Sequence, residues 1–531
     1  MTLTRLLLAA CSLALAVPPA AAQTVTLDRS TTFQTIDGFG FFGGMDVWWS
    51  SGPFHDAAWI STVIDDLGLT IHRNEYYSEE PNQDADWAKQ KSLIQALLAQ
   101  AKASKEPLKL IWTVWTPPSS MKSNSSLKNG GTLLSSSYSA FGSWLVQGID
   151  NYADLGAELY ALSPQNEPLF SEPYNSCVYT AEQYRDMLKV VGPIVKAAYP
   201  KVKIFGPEHM LFGVGKDYDW NNLDPTKKVL DDANAAQYLD IFACHGYGAD
   251  GATPTPGSTE AQYWAKAEQR VGALKPIWMS ETSGYPNTDD GALDYALSIH
   301  AALAYGHAAA WVHWQGSDNF VGADGVKSKK YFAAKQFYRF VRPGAKMIDA
   351  SSSDSELFVT AFDHAAYGVF TVVLINTASA AKSVSLSGSQ LPPQLTRHRT
   401  SSSEGCVEID TVASSSSVDL PARSITTLVS GDVYGRLGST PASDAGASDA
   451  TTADGATGDG ATGADAGLHD DASATDASAT GLRGEDGCSC AVGHARRDAT
   501  WPWLLLGLGL LLRIRSRVKG PAPSTVTLPN V

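Results

Sequence analysis

Eight short apolar runs, each followed by a stretch of helical periodicity, and then a series of short alternating strands, predict a (β/α)8 barrel with an antiparallel β-sandwich packed at its side. Size supports this reading. Residues 23 to 430 number about 400, more than the roughly 100–200 of one ordinary domain and close to a large barrel with a small companion.

The candidate barrel strands are 36–39, 69–73, 108–114, 158–162, 202–205, 239–245, 276–280 and 310–313. Helical patterns fill the intervals. Tyr184, Met187, Leu188, Val191, Ile194 and Val195 fall on one helical face, and Thr180 with Gln183 forms a capping-box start. Trp87, Leu93, Ile94, Leu97 and Leu98 repeat the pattern earlier in the chain. The barrel is therefore placed at 37–345. From 346 to 430 the texture changes to "LFVTAF", "YGVFTVVLIN", "AKSVSLSG" and "SITTLVSG", separated by turn residues, which reads as the sandwich; residues 23–36 supply it with an extra N-terminal strand.

The ends of the chain carry different signals. Residues 1–22 have Arg5, an apolar run over 6–17 and a closing Ala20-Ala21-Ala22, the form of a secretory signal peptide cleaved before Gln23. Residues 431–486 are dominated by Ala, Gly, Ser, Thr and Asp, too poor in apolar surface to offset chain entropy, and predict a disordered acidic spacer. Much of the net charge of -15 lies there, so the charge says little about ligands, and no nucleic-acid partner is expected. Residues 487–531 hold Cys488 and Cys490, a twelve-residue apolar run over 501–512 and then Arg513, Arg515, Arg517 and Lys519. That run is shorter than the roughly 20 residues that span a bilayer. The order of spacer, Cys motif, apolar run and basic tail resembles the C-terminal sorting signals of myxobacterial surface proteins, which implies a tail read by sorting machinery; a simple membrane anchor is the alternative. A secreted, cell-surface or outer-membrane location is expected.

Cys177, Cys244 and Cys406 are the cysteines of the folded part, an odd number that suits core packing. No CxxC pair, HExxH or EF-hand loop occurs, and neither a metal nor another cofactor is expected. Gly38, Gly40 and Gly43 match a GxGxxG pattern, but the following "GMDVWWSSGP" does not open a helix, and a dinucleotide loop is rejected.

The polar residues that end the candidate strands assemble a site. They are Arg73 after the second, Trp115 after the third, Asn166 and Glu167 after the fourth, His245 and Tyr247 after the sixth, Glu281 after the seventh and Trp314 after the eighth. In such barrels chemistry is done at the C-terminal ends of the strands. Pro164 and Pro168 fence the Gln-Asn-Glu run and exclude a regular helix through Glu167. Two glutamates, on strands expected to lie on opposite sides of the mouth, are what glycoside cleavage needs: one protonated to release the leaving oxygen, one ionised to attack or to activate water. Arg73 and His245 are placed to hold one of them ionised. Trp115, Tyr247 and Trp314 suit the apolar faces of sugar rings, although each alone is equally well explained by core packing.

The stretches "IDGFGFFGG", "VWTPPSSMKSN", "LSPQNEP", "IWMSETSG", "FYRFVRPG" and "LPARSITTLV" together resemble glycoside hydrolase family 30, in this order and over nearly all of residues 30–430. The resemblance implies a TIM barrel with a side-associated β-sandwich, a retaining mechanism, Glu167 as acid/base and Glu281 as nucleophile. It implies that Asn166 hydrogen-bonds the sugar 2-hydroxyl or the nucleophile, with Arg73, Trp115, His245, Tyr247 and Trp314 in the substrate site.

The family covers xylanases, glucosylceramidases, β-1,6-glucanases and β-1,6-galactanases. Its glucuronic-acid-dependent xylanases read the acidic branch with an arginine after the eighth strand, where this chain has "QGSDNFVGADG" with Asp318 and no arginine. The expected substrate is a neutral β-glycan, cleaved in the manner of an endo-β-xylanase. The alternatives are a β-1,6-glycanase, an exo-acting enzyme similar to glucosylceramidase, and an inactive surface carbohydrate-binding protein.

Overall fold

The computed structural model describes residues 23–43, 56–78, 83–247, 258–316, 320–322 and 325–431. The leader-like segment, the Cys motif, the basic tail, the spacer beyond residue 431 and Asp318 lie outside the described residues. Among those described, the chain opens with a long strand, β1 (Gln23–Thr35), and then enters the barrel.

The barrel strands are β2 (Gly38–Phe42), β3 (Ile71–Glu75), β4 (Lys109–Thr113), β5 (Leu159–Ser163), β6 (Lys203–Met210), β7 (Ile241–His245), β8 (Ile277–Glu281) and β9 (Ala308–His313). They close in this order, each parallel to its neighbours, with β2 pairing back to β9. All eight candidate strands are found, most within two or three residues of their expected bounds. The exception is β6, expected over 202–205, which runs on past Pro207 to Met210.

Burial on both faces explains why these strands read as near-continuous apolar runs. Ile71, Ile111, Ala161, Phe205, Ile241, Trp278, Ala310 and Val312 fill the interior. The barrel floor is closed by Asp37, whose carboxylate accepts from Lys109 Nζ, Tyr160 Oη and Trp278 Nε1, each at 3.0 Å. The opposite, C-terminal end is left for chemistry. Outside, the helix Ala181–Ala198 carries the expected capping box and buries Tyr184, Met187, Leu188, Val191 and Val195. Ile194 is half-buried at the edge of that face.

Two of the GxGxxG glycines have a packing reason. A Cβ on Gly40 would lie 1.9 Å from the Ile71 carbonyl oxygen, and one on Gly43 would lie 2.0 Å from His72 Nε2. They let β2 approach β3; the loop that follows, residues 44–55, lies outside the described residues.

After the barrel come β10 (Lys346–Ser352), β11 (Leu357–His364), β12 (Val369–Asn376), β13 (Lys382–Gly388), β14 (Gln394–Thr400), β15 (Val407–Ala413), β16 (Val418–Leu420) and β17 (Ser424–Val429). With β1 they form one nine-stranded sheet in the order β15-β14-β17-β12-β11-β10-β1-β13-β16. Val25, Leu27, Val372, Leu374, Val384, Leu395, Val418 and Leu428 share its core, so the sheet is sandwich-like in its burial. One pairing in the sheet departs from the antiparallel pattern. β1 is a central strand, antiparallel to β10 but parallel to β13, because it enters from the far end of the chain with no hairpin to set its direction.

The helix Lys329–Tyr338 joins the two parts. Gln336 Nε2 donates to Thr400 Oγ1 at 2.9 Å, and Thr427 Oγ1 donates to the Gln336 carbonyl at 2.9 Å. Arg339, just beyond it, places Nη1 2.6 Å from Glu106 Oε1, and Arg342 Nη2 donates to the other oxygen of the same carboxylate. The "FYRFVRPG" stretch is thus a structural clasp, away from the barrel mouth. Cys177, Cys244 and Cys406 form no disulfide and are buried.

Candidate active site

The sequence-predicted residues meet at the C-terminal mouth of the barrel. Arg73, from the middle of β3, is fully buried and uses its whole guanidinium. Nη1 donates to Glu281 Oε2 at 2.6 Å, Nη2 donates to Asn166 Oδ1 at 3.1 Å and to Glu208 Oε1 at 3.0 Å, and Nε donates to Thr113 Oγ1 at 3.1 Å. A planar fork with five N–H donors suits such a hub, which a lysine would not replace.

Glu281 ends β8 and pairs across to His245, the last residue of β7. Its second oxygen accepts from Tyr247 Oη at 3.0 Å. Glu167 follows β5, with a backbone φ of +43° in the left-handed region that costs a non-glycine residue of order 1–3 kcal/mol. Neighbouring hydrogen bonds hold it there: Asn166 N donates to the Val114 carbonyl at 2.7 Å and Phe170 N donates to the Glu167 carbonyl at 3.0 Å. Its Oε1 lies 2.8 Å from His245 Nδ1.

One correction concerns the barrel. β5 and β8 are three places apart rather than diametrically opposite, with β6 and β7 between them. The intervening strands place side chains against the carboxylates and Arg73. β7 supplies His245. β6 supplies Glu208, which the sequence reading missed.

Glu208 is fully buried, 3.0 Å from Arg73 Nη2 and 3.5 Å from His245 Nε2. The ladder between β6 and β7 shifts register between Pro207 and His209, so Glu208 occupies a bulge, with φ +58°. Bulges beside active sites re-aim side chains in this way. The signal was present in "FGPEHM", but Pro207 hid the continuation of the strand.

Trp115 and Trp314 frame the opening with Phe42, the last residue of β2 and a second residue the sequence reading passed over. Phe42 and Trp314 stack with centroids 4.3 Å apart; Trp115 lies 5.4 Å from Phe42 and 5.9 Å from Trp314. The Arg73 guanidinium sits 5.0 Å from the Trp115 ring centroid. Trp314 remains half-exposed, available to a ligand.

Charge sorts the carboxyl groups. Burial pushes Glu167 toward its protonated form and the Glu281 charge adds to this, outweighing His245 and Arg73, so its pKa is raised. Burial also opposes ionisation of Glu208, but Arg73 first, then His245 and Ser163, pull its pKa down to about 2. For His245, burial favours the neutral ring, yet Glu281, Glu167 and Glu208 together lift its pKa to about 10. One carboxylate oxygen of Glu167, one of Glu281 and a ring nitrogen of His245 lie within 4.8 Å of one another. All three residues are already hydrogen-bonded or ion-paired through these carboxylates and this ring.

Comparison with known proteins agrees with this geometry. Residues 79–327 match the glycosyl hydrolase family 30 TIM-barrel domain. A glucuronoxylanase, XynC, of Bacillus subtilis is 28% identical over 360 residues, covering 64% of this chain and 76% of that protein. The lysosomal acid glucosylceramidase of Mus musculus is 25% identical over 319 residues, covering 53% and 59%. Among solved structures, a family 30 subfamily 8 xylanase, Xyn30A, from Clostridium acetobutylicum superposes with a TM-score of 0.63 at 26% identity, covering 76% of this chain and 99% of that one. The chain therefore carries a glycoside hydrolase family 30 TIM-barrel domain with an associated sandwich-like domain, and it is a glycosidase.

Proposed function

We propose that this glycosidase cleaves a neutral β-linked polysaccharide by double displacement, with Glu281 as nucleophile and Glu167 as acid/base. The observation that carries the reading is the contrast between two neighbouring carboxyl groups, within 4.8 Å at their nearer oxygens. Glu281 accepts from Arg73 and Tyr247, which hold it for attack. Glu167 is pushed toward its protonated form. Carboxyl groups about 5–5.5 Å apart go with retention, whereas inversion needs roughly 6.5–9.5 Å to admit a water.

In the first step Glu281 attacks the anomeric carbon while Glu167 protonates the departing oxygen. In the second, Glu167 takes a proton from water, which displaces Glu281 and frees the sugar with its β configuration. Because Asn166 Oδ1 accepts from Arg73 Nη2, the Asn166 amide N–H groups are left as the donors for a sugar hydroxyl. Trp314, backed by the buried rings of Phe42 and Trp115, offers aromatic surface to the sugar ring.

We assign xylan as the polymer, cleaved internally, on the strength of the xylanase relatives; the absence of arginine from "QGSDNFVGADG" argues against dependence on an acidic branch. The leader-like first 22 residues favour action outside the cytoplasm. A product profile on unsubstituted xylan, glucuronoxylan, β-1,6-glucan and β-1,6-galactan tests the substrate. Mixed xylo-oligomers from both xylans are expected; activity on a β-1,6-linked polymer alone would move the substrate while leaving the two glutamates their roles. Anomeric proton NMR tests the stereochemistry, and an α product formed first would overturn double displacement.

A further inference from the structure

Glu208 has no part in the two chemical steps, yet it is the most deeply held carboxylate of the site. It sits on the β6 bulge behind the reacting pair, with Arg73 Nη2 at 3.0 Å and His245 Nε2 at 3.5 Å. The other nitrogen of His245 lies 2.8 Å from Glu167 Oε1. All of Arg73, Glu208 and His245 is removed from solvent. Each charge there must be answered by another, because burying an uncompensated ion is costly.

A count of charges gives Glu208 its purpose. With Glu167 protonated, the positive groups are Arg73 and an imidazolium at His245, and the negative groups are Glu208 and Glu281, so the site is neutral. Without Glu208 one positive charge is left over. Arg73 does not give up its proton, so the proton that leaves is the one on His245.

We propose that Glu208 is a positioning residue that keeps His245 an imidazolium through the working pH range, so that its Nδ1–H donates to Glu167 and stabilises the carboxylate formed when Glu167 protonates the leaving oxygen. This inference rests on the acid/base role proposed for Glu167. The proton given to the leaving oxygen is the one on Glu167 itself, and water restores it in the second step. The protons on His245 stay in place throughout, and Glu208 neither gains nor loses one.

Glu281 Oε1, 3.7 Å from His245 Nδ1, also supports the imidazolium, but its charge is lost once Glu281 bonds the sugar, whereas Glu208 keeps its charge throughout. Arg73 approaches from β3, Glu281 from β8, Glu167 from the turn after β5 and Tyr247 from the turn after β7. Tyr184, from the helix Ala181–Ala198, is driven far above its ordinary pKa by burial and then by Glu208, and stays neutral. His209, adjacent to Glu208, is pushed down to about 4 by burial and then by the charge of His245, and is neutral as well. Glu208 remains the carboxylate that faces Nε2, and the upward lift of His245 has the sign this arrangement requires.

The test is an imidazole 15N NMR titration of the whole enzyme, with the His245 signals assigned from their loss in His245→Asn. In the wild type both ring nitrogens of His245 should remain protonated well above its ordinary value of 6.5. In Glu208→Gln the titration should fall by about 1–3 pH units. Above that new midpoint, kcat/KM on polymer should drop at least about 10-fold, whereas kcat/KM on an activated aryl glycoside, whose leaving group needs no proton, should change less than about 3-fold. A neutral His245 at pH 7 in the wild type would overturn the proposal. So would equal losses on both substrates with the His245 titration unmoved, the pattern of a merely structural carboxylate. Should Glu208→Gln not fold, the wild-type titration still decides, and Glu208→Asp, which keeps the charge, should retain an imidazolium. Failure of the underlying reading looks different: Glu167→Ala would then lose activity on aryl glycoside and polymer alike, whatever His245 does.

Discussion

Arg73 Nη1 lies 2.6 Å from Glu281 Oε2, and the two side chains are only 0% and 7% exposed. A single guanidinium thereby fixes the carboxylate on β8 and, through its other nitrogens, Asn166 and Glu208. Arg73→Lys keeps one charge but loses the fork. It should lower kcat about 100-fold or more with a smaller change in KM, since removing one preorganised donor commonly costs about 10²–10³ in rate. Steady-state kinetics checks this, and a loss confined to KM would show Arg73 to be a binding group only.

Trp314 stacks on Phe42 and keeps part of its ring open to solvent. Trp314→Ala removes a face for the sugar and should cut kcat/KM about 10-fold, the equivalent of about 1.4 kcal/mol of aromatic contact. Trp314→Phe should recover most of it. Loss of folding in both variants, seen by circular dichroism, would instead assign Trp314 to the core.

The pH dependence of stability has a definite sign on each side. Glu208 falls from 4.5 in the unfolded chain to about 2 when folded, so its stabilisation is present above 4.5 and is lost as pH drops toward 2. His245 rises from 6.5 to about 10, so its stabilisation is present below 6.5 and is lost as pH climbs toward 10. The thermal midpoint should be highest between these windows and decline on both sides. Glu208→Gln should flatten the acid side; an unchanged acid slope would remove Glu208 from the account.

Glu106, in the turn between the helix Gln83–Ser104 and β4, receives Arg339 and Arg342, which follow the helix Lys329–Tyr338, in a buried cluster. Glu106→Gln leaves both guanidinium groups short of a counter-charge and should destabilise the fold by about 3–5 kcal/mol. Chemical denaturation measures it. Activity at low temperature should survive, because the cluster is remote from Glu281.

Much of this was legible in the residues. The eight apolar runs were found because strands buried on both faces leave a strong signal. The strand-end rule then brought Arg73, Trp115, Asn166, Glu167, His245, Tyr247, Glu281 and Trp314 to one mouth. Glu208 escaped because a proline one residue earlier reads as the end of a strand, while the chain in fact bulges and continues. Phe42 escaped because an aromatic ending an apolar run looks like core. The parallel pairing of β1 with β13 is set by contacts over more than 350 residues of chain, beyond any local pattern. The "FYRFVRPG" stretch marked the family but not the site, since its arginines answer Glu106.

The most direct test of the proposed roles is the kinetics of Glu167→Ala on two glycosides of the sugar that the product profile identifies, one with an activated aryl leaving group and one without. The account predicts that kcat/KM on the activated glycoside stays within about 10-fold of the wild type while the unactivated one loses about 10²–10⁴-fold. Azide, standing in for the water that Glu167 no longer activates, should then raise turnover and yield a β-glycosyl azide. Equal loss on both glycosides, with no response to azide, would contradict the assignment of Glu167 as the acid/base.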